Sequence, residues 1–311
     1  MHKVELLSSA KDLNSLKLAF ESGADAVYIG GDSFGIDAIA KNFSREELQQ
    51  GVEFAHHNNK KVYVAVNVMP HNEDFDSLKD YLVELEKLNI DGIIVTDPGV
   101  LTIAKNTIPN VKIHMGQQAN VTNFNSANFW YDQGVRRIII TSELSFDEIS
   151  TIRAKTPLDM EIETFVHGPI CISYSGRRLL SSYLGSKDNV EYKEGNDKYN
   201  LLEEKRQGEY YPVFEDEKGT FLFNSKDLCM LNFVPDFVKA GVTSLKIDSR
   251  LQSDEYLETV IKVYRKALDE FYKNPNEWEF NPIWLEQIKE KSHRPLTHGF
   301  YTGEAMPDDY E

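Results

Sequence analysis

Between Glu163 and Asp188 the chain reads ETFVHGPICISYSGRRLLSSYLGSKD, which places a carboxylate, an imidazole, a thiol and two adjacent guanidinium groups in one short span. A histidine beside a cysteine can generate a thiolate nucleophile, and a glutamate can orient such a histidine as a general base. The four-residue spacing of His167 and Cys171 does not by itself bring them together, because the segment has no helical pattern. A second group, Lys246, Asp248 and Arg250, stands in SLKIDSR. A fixed arginine fork there can meet a carboxylate with two hydrogen bonds, and a lysine adds a point charge. The bland alternative is that these cations pair with Asp248 or Glu163 to hold a rim. No H-E-x-x-H or G-x-S-x-G occurs, and His56, His57, His71 and His114 lack metal-ligand spacing, so they read as surface or locally hydrogen-bonded residues and no metal site is expected.

These residues need a frame, and the sequence supplies one by repetition. LAFESGADAVYIGG, VELEKLNIDGIIVTD, FWYDQGVRRIIITSE and DFVKAGVTSLKIDSR each end an amphipathic helix at a Gly or Asn and continue into a short apolar strand with polar residues at its end. Strands are expected at Val4–Leu7, Ala26–Ile29, Lys61–Val66, Gly92–Val95, Val111–His114, Arg137–Thr141, Met160–Phe165 and Ser244–Ile247. Eight strands alternating with helices predict an α/β fold, a (β/α)8 TIM-like barrel over residues 1–272. The rival, a doubly wound open sheet, lacks a G-x-G-x-x-G after the first strand. The stretch 166–243 is too long for one loop and helix, so an inserted subdomain between the seventh and eighth strands is expected to cover the C-terminal mouth. Its middle, Lys187–Lys218, reads as a solvated excursion. Asp254–Tyr272 closes the barrel as its last helix, and 273–311 forms a C-terminal extension packed on it.

In such a barrel, chemistry gathers where the strands end. Glu163, His167, Cys171 and Asp248 are therefore the candidates for catalysis. Tyr28, Asn67, Gln118, Asn120, Asn123, Glu143, Arg177, Lys246 and Arg250 are candidates for binding a small polar or anionic ligand. Individually, each has a structural reading: a lone histidine is often satisfied by a neighbouring carbonyl, the Gln118–Asn123 run can cap the next helix, and Glu143 can belong to a helix N-terminus.

Composition limits the partners. The 311 residues carry a formal net charge of −16, which works against this chain holding a polyanion unaided. Two cysteines are too few for a disulfide scaffold and fit a reducing compartment. No run reaches the length of a membrane span and the N-terminus lacks a signal-peptide pattern, so a cytoplasmic protein without a membrane partner is expected.

The quoted segment resembles the signature of the peptidase U32 family, a collagenase-like grouping, through Glu163, Phe165, His167, Gly168, Cys171, Gly176 and Ser181. GADAVYIGG, the Gln118–Asn123 run, SELSFDEI, SKDL, GVTSLKIDSR with the YRKALD helix, and SHRPLTHGFYTG extend the resemblance over most of the chain. Despite the label, better-understood members are similar to RNA hydroxylation enzymes that convert a wobble uridine of tRNA to 5-hydroxyuridine or hydroxylate a ribosomal cytidine. The resemblance implies dependence on prephenate and an iron–sulfur cluster held by four cysteines. This sequence departs from it there: the second signature cysteine falls on Arg178 and the downstream pair is absent. A cluster normally needs four thiolates, so none is expected in this chain; Cys229, in a helix-like DLCML context, is expected to be buried. The family is also similar to pairs in which a shorter member accompanies a longer, cysteine-complete one. The resemblance thus implies the shorter subunit of a tRNA hydroxylation pair, reaching tRNA through a hetero-oligomer with its paralogue, with prephenate as ligand or cofactor. For prephenate, Arg177, Lys246, Arg250 and His167 are expected to face one cavity. A collagenase-like hydrolase and a non-catalytic scaffold subunit are the alternatives.

Overall fold

The repeated helix-end turn fixes the frame. Gly23, Asn89, Gly134 and Gly241 all take positive φ (111°, 57°, 95° and 80°) where a helix ends and the chain reverses into a strand. Left-handed backbone at these turns suits glycine or asparagine and releases the strand back along the helix it follows. Helix starts are equally explicit: Ser44 with Glu47 and Ser145 with Glu148 form reciprocal caps, and the Asp12 side chain accepts from the Ser15 backbone at 2.8 Å.

The computed structural model describes residues 3–31, 33–35, 43–183, 197–202, 209–216, 219–250 and 252–303. In chain order the elements are β1 (Glu5–Ser9), α1 (Leu13–Glu21), β2 (Ala26–Gly30), α2 (Arg45–His57), β3 (Lys61–Val66), α3 (Phe75–Lys87), β4 (Gly92–Val95), α4 (Pro98–Thr107), β5 (Lys112–Met115), α5 (Phe124–Asp132), β6 (Arg137–Ile139), α6 (Phe146–Ala154) and β7 (Glu161–Ser175). There follow α7 (Leu179–Tyr183), β8 (Asp197–Leu202), β9 (Tyr210–Asp216), β10 (Gly219–Cys229), α8 (Val234–Lys239), β11 (Ser244–Ile247), α9 (Asp254–Lys273), α10 (Pro282–Lys289) and β12 (Leu296–Thr297).

Strands β1 to β7 pair in sequence and in parallel, and β11 pairs with both β7 and β1. The sheet therefore closes as an eight-stranded (β/α)8 barrel. Two apolar layers result. Leu7, Ala26, Tyr28, Tyr63, Ile94 and Ile139 fill the barrel interior with Phe165 against them. The larger layer lies between the strands and the helices and takes Leu6, Val27, Val64, Ile93, Ile138 and Val166 from the outward faces. Alternation along each strand assigns one residue to each layer in turn.

β7 departs from the expected strand. It continues 10 residues past Phe165, leaves the barrel wall, and pairs antiparallel with β10, which pairs with β9 and that with β8. The segment after the seventh barrel strand thus adds antiparallel strands to the extension of β7, and α8 then serves as the helix preceding β11. Most of the stretch Lys187–Lys218, read as solvated, lies outside the described residues, as do residues 304–311 of the C-terminal extension. The DLCML context is corrected: Cys229 is fully buried, but at the end of strand β10, because Asp227 and Leu228 pair with β7 on one side and β12 on the other. Among the described residues of the extension, Trp284 of α10 is buried. The Tyr301 hydroxyl donates to the Phe165 carbonyl at 2.7 Å, which fixes the chain behind β7.

Candidate active site at the barrel mouth

The floor of the barrel interior is charged. Arg137 points inward from the first residue of β6 and is 2% exposed. Its guanidinium reaches Glu5 at 2.7 Å, Glu161 at 2.6 Å and Glu163 at 2.9 Å. The second Glu163 oxygen lies 3.2 Å from Nζ of Lys246. Glu163 thus connects a floor cation to a cation one layer higher, and no water-exposed surface is available to either oxygen. Buried charges of this kind are tolerated only when paired and hydrogen-bonded.

Above this floor, Tyr28, Ala65, Asn67, Ile94, Gly116, Gln117, Gln118, Ile139, Phe165, Lys246 and Arg250 line a cavity at the C-terminal mouth. It encloses about 70 Å³ and opens to solvent. That room suits a few waters or one small polar group, so a larger ligand seats one end here and extends outward. Lys246 Nζ lies 3.8 Å from the centre of the Tyr28 ring and 5.0 Å from that of Phe165. Burial pushes its amine below the ordinary lysine value, with Glu163 pulling upward and Arg250 adding to the downward push. The Arg250 guanidinium stands 5.0 Å from the same Tyr28 ring and grips Asp248 through Nε at 3.0 Å and Nη2 at 2.6 Å. Burial alone would raise the Asp248 carboxyl, but Arg250 outweighs it and holds the group at about 2.

Of the residues expected at the mouth, Tyr28, Asn67, Gln118, Lys246 and Arg250 are brought together there. Glu163 and Asp248 stand behind the two cations as their counter-charges, the rim arrangement that the sequence left open. The other residues go elsewhere. Asn123 caps α5, accepting from the Ser126 backbone at 2.9 Å, and Asn120 holds a left-handed turn at φ 52°. Glu143 is exposed ahead of α6, whose cap is Ser145. Arg177 is exposed beyond the end of β7 and does not line the cavity, so the expected cluster of Arg177 with Lys246 and Arg250 does not form.

His167 is the main correction. Alternation from Glu163 through Phe165 would aim it into the barrel, but the β7–β11 register shifts between Lys246 and Ile247, making Val166 an extra residue in the pairing. Such a bulge re-aims the side chains that follow it. His167 therefore turns outward, fully buried, with Nε2 2.7 Å from the Tyr256 hydroxyl on α9. Burial lowers its pKa to about 3, so the ring is neutral. Gly168 completes the turn at φ 116°: a Cβ there would stand 2.0 Å from the Asp248 carbonyl oxygen, so no larger residue fits.

Cys171 does not meet His167. Four residues of extended strand separate them by about 13 Å, and Cys171 pairs opposite Phe223 while His167 pairs opposite Cys229. Burial pushes the Cys171 thiol up to about 11, the reverse of an activated nucleophile. The two cysteines of the chain cannot supply the four thiolates of an iron–sulfur cluster. No group of three or more His, Cys, Asp or Glu suited to a metal occurs among the described residues. No helix among them is long and apolar enough to cross a membrane. Sequence reading did not single out Arg137, which entered only as the first residue of an expected strand. An arginine in an inward register facing Glu5, Glu161 and Glu163 was the available signal.

A closed (β/α)8 barrel with an ion-paired polar mouth is the class of protein that fold and site define. Within that class the chain belongs to Peptidase family U32, whose model it matches over residues 11–310. It is 36% identical to the Bacillus subtilis tRNA hydroxylation protein P1, with 97% of this chain and 71% of that protein covered. It is 33% identical to the Bacillus subtilis tRNA hydroxylation protein P2, with 98% of this chain and all of that protein covered. The solved structure of a U32 peptidase superposes with a TM-score of 0.51 at 14% identity, covering 80% of this chain and 93% of that one, a likeness of fold.

Proposed function

We propose that this chain acts in tRNA hydroxylation, forming 5-hydroxyuridine at a wobble position together with a longer, cysteine-complete paralogue. The observation that carries this reading is the match to a tRNA hydroxylation protein along the full length of both chains, while protein P1 extends beyond the matched region. The two-cysteine content supports a division of labour in which any four-cysteine cluster belongs to the partner. The net charge of −16 supports tRNA contact through the complex. At the mouth, Lys246 and Arg250 form the binding end for a carboxylate such as that of prephenate, with Asn67 and Gln118 as polar neighbours.

The hydrolase reading has no support in the geometry, since the partly buried Cys171 thiol is far from His167 and held protonated. The test is nucleoside mass spectrometry of total tRNA from strains lacking this gene, the paralogue, or both. Loss of 5-hydroxyuridine in the strain lacking this gene, restored by the wild-type gene, is the expected result. Unchanged 5-hydroxyuridine with the paralogue deleted or present would overturn the reading.

A further inference from the structure

The amine of Lys246 has an environment that a salt-bridging role does not require. It projects from a strand end into the mouth cavity, is 4% exposed, and lies between the rings of Tyr28 and Phe165. Its only carboxylate neighbour within ion-pair distance among the described residues is Glu163, which already serves Arg137 with its other oxygen. A second cation, Arg250, faces the same tyrosine ring. Desolvation, a shared counter-ion and a nearby like charge are the conditions that leave a lysine as a free amine able to attack a carbonyl. Asn67 and Gln118 at the same cavity offer amide groups to a carboxylate, and the small volume admits a two- or three-carbon unit.

We propose that Lys246 condenses with the carbonyl carbon of an α-keto acid seated in the barrel mouth. This rests on the reading of the mouth as a carboxylate site and names the chemical class that the site takes. In the reaction the neutral amine attacks the carbonyl carbon: a C–N bond forms, the C=O π bond opens, and the oxygen is protonated. The carbinolamine then loses that oxygen as water, with a proton taken from nitrogen and a C=N bond formed. One free amine and one ketone give one imine and one water, without oxidation or reduction. Glu163, 3.2 Å from Nζ, is placed to relay the proton between nitrogen and oxygen.

The test uses the full chain with pyruvate and sodium borohydride, which delivers hydride to the imine carbon and makes the adduct permanent. Peptide mapping is expected to find one reduced adduct on Lys246, saturating with pyruvate concentration and lost in Lys246→Arg. Because that variant changes a buried residue, the site is decided on the wild-type chain, where the labelled peptide is read directly. Lactate, which has the carboxylate but no carbonyl, is expected to raise the melting temperature as pyruvate does and to protect Lys246 from labelling. Labelling scattered over surface lysines, or absent from Lys246 while both acids raise the melting temperature, overturns the condensation and leaves the carboxylate site standing. If neither acid shifts the melting temperature and no adduct forms, the carboxylate reading falls with it.

Discussion

The outward turn of His167 makes acid sensitivity a quantitative consequence of the bulge. In the folded chain its imidazole titrates at about 3, whereas in the unfolded chain it titrates near the ordinary 6.5. The unfolded state therefore takes up the proton first, and stability falls as pH drops below 6.5 and continues to fall toward 3. Between pH 7.5 and 5 this one group removes about 2 kcal/mol, since each pH unit below 6.5 approaches 1.4 kcal/mol. His114, fully buried inside the barrel with burial and then Arg137 driving its pKa well below normal, adds a loss of the same sign. The perturbation is His167→Gln, which keeps a hydrogen-bonding partner for the Tyr256 hydroxyl but cannot titrate. Urea unfolding at pH 7.5 and pH 5, followed by tryptophan fluorescence, gives the stability difference for each protein. The variant is expected to be less stable at pH 7.5, yet to lose about 2 kcal/mol less than wild type on acidification. Equal losses in the two proteins would refute the argument, because they would show that His167 takes up its proton as easily folded as unfolded.

Replacing Gly168 by alanine forces a side chain into the Asp248 carbonyl at positive φ, and should cost about 2–5 kcal/mol in denaturant unfolding. Arg137→Met removes the shared partner of Glu5 and Glu163, leaving each with one lysine; a loss of about 3–5 kcal/mol is expected, and a stability within about 1 kcal/mol of wild type would contradict the floor network. Iodoacetamide should modify native Cys171 slowly at pH 7.5 and about tenfold faster for each added pH unit up to pH 10, measured by intact mass. A pH-independent rate would mean that the thiol is already ionised.

Much of the barrel was legible because each unit carries its own punctuation. Gly23, Asn89, Gly134 and Gly241 mark helix ends, and the apolar runs after them are buried on both faces, as a parallel sheet requires. The eighth strand was readable for the same reason despite the long connection before it. The site was legible only where a residue follows its strand's alternation into the mouth, as Tyr28, Asn67 and Lys246 do. His167 escaped because a bulge has no residue signature in one sequence, and its re-aiming depends on the pairing with β11. The course of β7 past Gly168 and Pro169 escaped because those residues ordinarily end a strand, and here the antiparallel partner β10 sustains it. Asn123 shows the converse difficulty, since a helix cap and a ligand-binding amide look identical until the backbone acceptor is located.

β7 also has a mechanical meaning. Its 15 residues span about 50 Å as one hydrogen-bonded ribbon, with Glu163 in the barrel wall and Ser175 in the projecting sheet. A body that grips the projecting strands applies torque to the same backbone that carries the counter-ion of Lys246. The paired register slips at Val166, the first such irregularity beyond the barrel wall, and β7 slips again farther out against β10. Rotation at that pivot is limited on both sides, by the Tyr301 hydroxyl on the Phe165 carbonyl and by the Tyr264 hydroxyl on the Val166 carbonyl, each at 2.7 Å. Those two hydrogen bonds tie the backbone between the outer sheet and Glu163 to the C-terminal segment and to α9.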